Sequence, residues 1–194
     1  MANVNKPKGL TPVSYLNGSP WNGQARRYFA TAPAAGLFVG DPVTLSGTGD
    51  AMGVAGTVIG VAGSAIIGVV VGILPVSAGV SQVAGSLDLT SRSLAANATG
   101  YILVADDPNL LFEIQDGMTA TFVQVTDIGS NINFLIAAGA TAYSDSGTTG
   151  AAAVTGTTTA NLKIMGMVQR EDNQVGVQYQ KLLVKINNHA YSAG

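Results

Sequence analysis

Apolar and polar residues alternate with period two along much of this chain, most plainly in Tyr101–Asp127, YILVADDPNLLFEIQDGMTATFVQVTD. Tyr101, Leu103 and Ala105 alternate with Ile102 and Val104, and Leu110, Phe112 and Ile114 alternate with Leu111, Glu113 and Gln115. Between them, Asp106-Asp107-Pro108-Asn109 supplies turn chemistry: the proline fixes its own φ and removes a donor, and the Asp and Asn side chains can bond nearby backbone. The pattern predicts strand, turn, strand, closed as a hairpin of firm register. Beyond it, Gly117–Asp127 predicts another strand, with Thr121, Val123 and Val125 alternating with Phe122, Gln124 and Thr126, and room for a helical turn near Met118.

Ala51–Val76, AMGVAGTVIGVAGSAIIGVVVGILPV, is an uncharged run of 26 residues, long enough to cross a membrane as a helix. Its Gly56/Gly60 and Gly68/Gly72 spacings even match those of packed membrane helices. Composition points the other way: 18 of the 26 residues are Gly, Val, Ile or Thr and one is Leu, a mixture for strands. No Lys or Arg lies between Arg27 and Arg92 and no Trp or Tyr between Tyr28 and Tyr101, so charged and aromatic membrane flanks are missing. The expectation is therefore a buried hairpin, strands near Val54–Val61 and Ile66–Leu74 joined by Ala62-Gly63-Ser64-Ala65, and no membrane. On the second strand Ile67, Val69, Val71 and Ile73 would share one face, and Ile66, Gly68, Val70, Gly72 and Leu74 the other, a glycine stripe that lets another backbone come close.

Residues 77–100 predict a strand or irregular connection anchored by Leu87, Leu89 and Leu94. Residues 140–161 are Ala, Thr and Gly rich, predicting a long exposed loop. Three strands close the chain: Leu162–Val168, Val175–Tyr179 after a polar turn at Arg170-Glu171-Asp172-Asn173, and Lys181–Ile186 with Leu182, Val184 and Ile186 on one face.

The first 40 residues differ from the rest. They hold Lys6, Lys8, Arg26 and Arg27 and no acid, and five of the seven prolines fall within the first 42 residues. That composition predicts an extended basic arm, 1–40, on a single β-rich domain, 41–194. The arm carries the only Trp, and Trp21, Arg26, Arg27 and Tyr28 are of the residue types that anchor protein interfaces. The competing reading is that Trp21 and Phe29 pin the segment to its own core.

Charge and chemistry narrow the function classes. Only 10% of residues are charged and the net charge is −2, which argues for surface buried against a protein partner and against nucleic acid. There is no cysteine and one histidine, His189, so thiol chemistry, Cys-bound zinc and paired-histidine mechanisms are excluded, and no cofactor or metal is implied. Gly47-Thr48-Gly49 lacks the Lys-Ser/Thr of a phosphate loop, and no G-x-S-x-G occurs. A carboxylate pair assembled in space remains open, but nothing favours one. No apolar stretch follows the first lysines, so no secretory leader is expected.

The hairpin YILVADDPNLLFEIQD and the closing LKIMGMVQREDNQVGVQYQKLLVKINNHAY resemble the capsid cement, or head decoration, proteins of tailed bacteriophages, and GVVVGILP is similar to the same family. The likeness spans most of residues 37–191, and the Ala/Thr-rich 140–161 region departs from it. The resemblance implies a small, mostly β protein on the outer surface of the virion capsid, made in the bacterial cytoplasm, bridging major capsid proteins as a dimer or trimer. The overall expectation is an all-β fold, a compact antiparallel barrel or sandwich with a jelly roll among the options, at most short helices, and no enzymatic activity. Docking is assigned to Trp21, Arg26, Arg27 and Tyr28. The alternative from another class is a host-attachment or carbohydrate-binding module reading its ligand with the 140–161 loop.

Overall fold

The computed structural model describes residues 3–74, 92–117, 122–141 and 144–192. The fold is all-β. Its strands are β1 (Thr11–Tyr15), β2 (Arg26–Ala30), β3 (Leu37–Phe38), β4 (Pro42–Gly49), β5 (Ala55–Ile59), β6 (Gly68–Leu74), β7 (Ser93–Leu94), β8 (Gly100–Ala105), β9 (Leu110–Gln115), β10 (Asn131–Leu135), β11 (Thr149–Thr155), β12 (Leu162–Met167) and β13 (Lys181–Ile186). Helical structure among the described residues is a 3-10 turn at Val125–Asp127. Two bodies result: a closed barrel in the order β2-β5-β4-β6-β8, and a six-stranded sheet in the order β1-β9-β13-β12-β10-β11, with β3 and β7 paired beside them. A jelly roll is not the arrangement.

The apolar run around β6 is explained by burial on both sides. Val69 belongs to the core shared with the six-stranded sheet, whose inner face supplies Phe112, Ile114, Ile132, Phe134, Ile164, Leu182 and Val184, and Val71 packs on that core. Val70 lies inside the barrel with Tyr28, Val43, Ile67, Ile102 and Val104. A strand buried on both faces cannot carry a polar stripe, so its sequence reads as a continuous apolar run. Val69 and Val70 are both fully buried, each contributing about 1.5–3 kcal/mol relative to exposure. The predicted face of Ile67, Val69, Val71 and Ile73 is broken, since Ile67 and Ile73 pack in the barrel; Gly68 and a bulge between Val70 and Gly72 reset the alternation. No described helix is long and apolar enough to cross a membrane.

Several predicted strands form with different partners. β8 and β9 lie where the alternation put them, but they are not a hairpin: β8 pairs with β2 and β6, and β9 with β1 and β13. The turn between them is a crossover from barrel to sheet. Asp107 accepts the Asn109 N–H at 2.7 Å, while Asp106 turns inward. Likewise β5 and β6 are separated by β4, which pairs with both, so the expected hairpin there is also corrected. Period-two patterning identifies a strand and its faces but says nothing about which edge meets which neighbour.

Residues 1–40 are not a separate arm. β1 pairs with β9, and β2 completes the barrel through β8 on one side and a parallel pair with β5 on the other, so the division at residue 40 does not hold. The prolines sit outside β2 and at a bulged edge strand, where a missing donor is tolerated. The 140–161 region is not one loop: Thr149–Thr155 is a strand on β10, its weak alternation hidden in a near-uniform Ala and Thr composition. Val175–Tyr179 is turn rather than strand, and Phe122–Gln124 is not a strand. Asn173, whose amide bonds the carbonyls of Val168 and Lys181, shapes the 169–180 connection. Met118 and most of 77–100, including Leu87 and Leu89, lie outside the described residues.

A backbone seam joins the N-terminal segment to the barrel. The Leu10 N–H donates to the Gly40 carbonyl at 2.9 Å, and the Gly40 N–H to Val70 at 2.8 Å. Gly40 has φ +99, and a Cβ there would lie 2.2 Å from the Lys8 carbonyl oxygen. Gly40→Ala is therefore expected to cost about 2 kcal/mol or more and lower the thermal midpoint by several degrees. Circular-dichroism melting checks this; an unchanged midpoint would mean the seam yields without cost.

Candidate functional site

Strand β2 divides the predicted docking residues by parity. Arg26, Tyr28 and Ala30 point to the barrel interior and its mouth, while Arg27 and Phe29 point outward. Tyr28, which the sequence assigned to docking, is 4% exposed and packs inside the barrel. Trp21 is also anchored internally. It packs on the main core, its backbone N–H donates to Val13 and its indole N–H to the Gln24 carbonyl. The pinning reading holds for Trp21.

The inward group is a polar clasp at the crossover. The Tyr28 hydroxyl donates to Asp106 Oδ2 at 2.6 Å, and Arg26 Nε reaches the same oxygen at 3.2 Å. Tyr191 shares the Tyr28 hydroxyl at 3.1 Å, and Arg26 lies 6.0 Å from the Tyr191 ring centroid. His189 stacks beside Tyr191, with centroids 5.8 Å apart, and its Nδ1 accepts the Tyr191 N–H at 3.1 Å. The proton of neutral His189 therefore sits on Nε2, for which the Asp106 backbone is the nearby acceptor although hydrogen-bond geometry is not reached. The tail is fixed by two further bonds, Ile66 N–H to Asn188 and Ala190 N–H to Ile66.

The electrostatics suit a clasp rather than acid–base work. Burial, then the bond to Asp106, pushes the Tyr28 phenol far above its ordinary range, so it keeps its proton. Burial also lowers the His189 pKa, holding the imidazole neutral. A phenol that will not ionise beside an imidazole that resists protonation offers no poised pair near neutral pH. Among the described residues, no group of three His, Asp or Glu is gathered as metal ligands.

The outward group forms an ordered patch on the barrel wall. Arg27 lies over the Tyr101 ring, its Cζ 5.1 Å from the centroid, and Phe29 meets the same ring edge-on at 5.7 Å. The Tyr101 hydroxyl donates to Asp50, which orders the β4–β5 tip by accepting the Met52 and Val54 N–H groups at 2.9 and 2.8 Å. The bond from Tyr101, then the backbone bond from Val54, holds the Asp50 pKa below its ordinary value. Met52, at that tip, is 83% exposed. An arginine stacked on an ordered aromatic ring is already positioned for a partner. Tyr101 and Asp50 were not legible as site residues, since their sequence signals are those of strand and turn.

A second surface lies on the outer face of the six-stranded sheet. A groove of about 480 Å³ runs there, lined in part by Lys6, Lys8, Glu113, Arg170, Asp172 and Lys181. Arg170 grips Glu113 with two nitrogens at 2.8 and 3.0 Å and meets Asp172 at 2.9 Å, and Lys181 pairs with Asp172 at 2.5 Å. Arg170, then Lys181, holds the Asp172 pKa down to about 2.

Compared with protein-family models, curated proteins and solved structures, the chain matches none.

The His189 environment sets a pH dependence. A histidine whose folded pKa is lowered is protonated first in the unfolded chain, so its contribution to stability is present above the ordinary value of 6.5 and is lost as pH falls below it. Asp41, whose burial raises its pKa, works in the opposite sense. The difference between wild type and His189→Gln isolates the histidine: between pH 7 and 5 the wild-type melting temperature is expected to fall further than that of the variant. Parallel curves would contradict the assignment.

Proposed function

We propose that this protein is a non-enzymatic structural protein that binds the outer surface of a tailed-phage capsid and stabilises the expanded shell by bridging neighbouring major capsid proteins, working as a homo-oligomer of two or three copies. The observation that carries this reading is where the buried polar side chains are spent. Asp41 accepts from Phe38 N–H, Ser146 and Thr148; Asn161 ties Gly63 and Ser64 to the sheet; Asp106 joins β2 to the crossover; Gln180 bonds Asp116 and the Val123 carbonyl. Each joins distant segments of the chain. The exposed chemistry that remains is contact chemistry, the Arg27–Tyr101 wall and the basic sheet face.

The likeness of the β8–β9 and C-terminal segments to cement proteins supports the same conclusion, and the sparse charge fits a surface that spends its working life against protein. Bridging supplies affinity by multivalency: once one contact holds, the next is effectively intramolecular, so modest interfaces clamp a lattice. A rigid β body preserves the spacing between contacts. The carbohydrate-module reading is less well supported, because its proposed recognition loop is interrupted by the strand β11, which is paired with β10.

Co-sedimentation with expanded, undecorated heads, over a range of protein concentrations and at two salt levels, tests the proposal. Saturable binding at a fixed ratio per capsid subunit is expected, and no binding by folded, soluble protein would reject it. Arg27→Ala is expected to weaken binding about tenfold or more without lowering the melting temperature. Unchanged occupancy would remove the barrel wall from the interface.

A further inference from the structure

The outer face of the six-stranded sheet carries an arrangement that the barrel wall does not account for. Lys163 on β12 and Lys185 on β13 stand directly opposite each other in the antiparallel register. Their neighbours Leu162, Ile164, Val184 and Ile186 are buried inward, so both lysines project from the outer face. Directly opposed residues have Cβ atoms about 5 Å apart, and like charges at that spacing oppose folding. Yet neither lysine is in an ion pair among the described residues, while Glu113 and Asp172 are committed to Arg170 and Lys181. Lys185 is flanked by Leu111 across β9, and Met165 on β12 is 37% exposed.

Six of the nine cations, Lys6, Lys8, Lys163, Arg170, Lys181 and Lys185, lie on this face or along its groove, in a chain of net charge −2. We propose that this sheet face is a docking surface for an acidic protein surface, one whose carboxylates complete the Lys163–Lys185 pair. Resting on the structural reading above, the inference gives a bridging protein its second contact, separate from the barrel wall. A protein partner fits better than nucleic acid: the face bears Glu113 and Asp172 and no Phe, Tyr or Trp of β9, β12 or β13 points outward to stack on bases.

The test compares two double variants of equal net charge. Lys163→Gln with Lys185→Gln removes the opposed pair. Asn17→Asp with Asn22→Asp adds the same negative charge in the exposed β1–β2 loop and keeps the acceptors for Ser19 and Gln24 N–H. Each is measured against immobilised poly-L-glutamate, duplex DNA and expanded heads, with circular dichroism confirming the fold. The expected result is an affinity loss of about tenfold for polyglutamate and heads in the lysine variant, little loss in the loop variant, and weaker binding of wild type to DNA than to polyglutamate. Equal losses in the two variants, or tighter binding to DNA, would overturn the proposal. Lysine-dependent binding to polyglutamate without binding to heads would leave the acidic-surface inference standing and reject the capsid reading.

Discussion

Val69 and Val71 press on the six-stranded sheet while Val70, between them, lies inside the barrel, and this two-sided burial of β6 is the constraint on which the rest of the structure depends. A strand with no solvent side has to be flanked on both edges and covered on both faces. The chain meets that demand by closing β2, β5, β4, β6 and β8 into a barrel and packing the six-stranded sheet against β6. The two cores are thereby made interdependent, since a cavity opened at β6 is felt on both sides. The buried polar groups follow the same logic. Asp41, Asp106, Asn161 and Gln180 lie at junctions between segments far apart in sequence, each satisfied by partners across the junction.

That architecture orders two surface patches in a chain with few charges. Tyr101 is held from two sides, by Asp50 at its hydroxyl and by Phe29 at its ring edge, so Arg27 stacks on a platform that is already ordered. On the other body the ion-paired quartet of Glu113, Arg170, Asp172 and Lys181 fixes the polar end of the sheet face and leaves Lys163 and Lys185 outside the ion pairs of the described residues. Exposed pairs such as these contribute little to stability individually. Their consequence is positional: they determine where net positive charge remains.

Much of the fold was legible in the residues. β8, β9, β12 and β13 coincide closely with alternating runs, and the composition of residues 51–76 correctly favoured strands over a membrane helix. Partners were not legible, for a physical reason: the hairpin expected across Asp106–Asn109 failed because both flanking strands are central, with both edges claimed by strands distant in sequence. The proline-rich start looked like an arm because proline and basic residues suit an arm, yet Tyr28 and Ala30 fill the barrel, and only the alternation within RRYFA hinted at this. Of the four docking residues read from composition, Arg27 stacks on Tyr101 at the surface, Arg26 is held by Asp106, Tyr28 is buried in the barrel and Trp21 packs, half-buried, on the main core. The buried place of His189, the single histidine, beside Tyr191 and Asp106 depends on tertiary folding that no local pattern records.

A cryo-electron-microscopy reconstruction of expanded shells saturated with the protein tests the central claim most directly. The account predicts added density on the outer surface, with the lysine face of the six-stranded sheet against an acidic surface of one shell subunit and the Arg27–Tyr101 wall facing a neighbouring subunit or a second copy. Density inside the shell, attachment through neither surface, or no added density would contradict it.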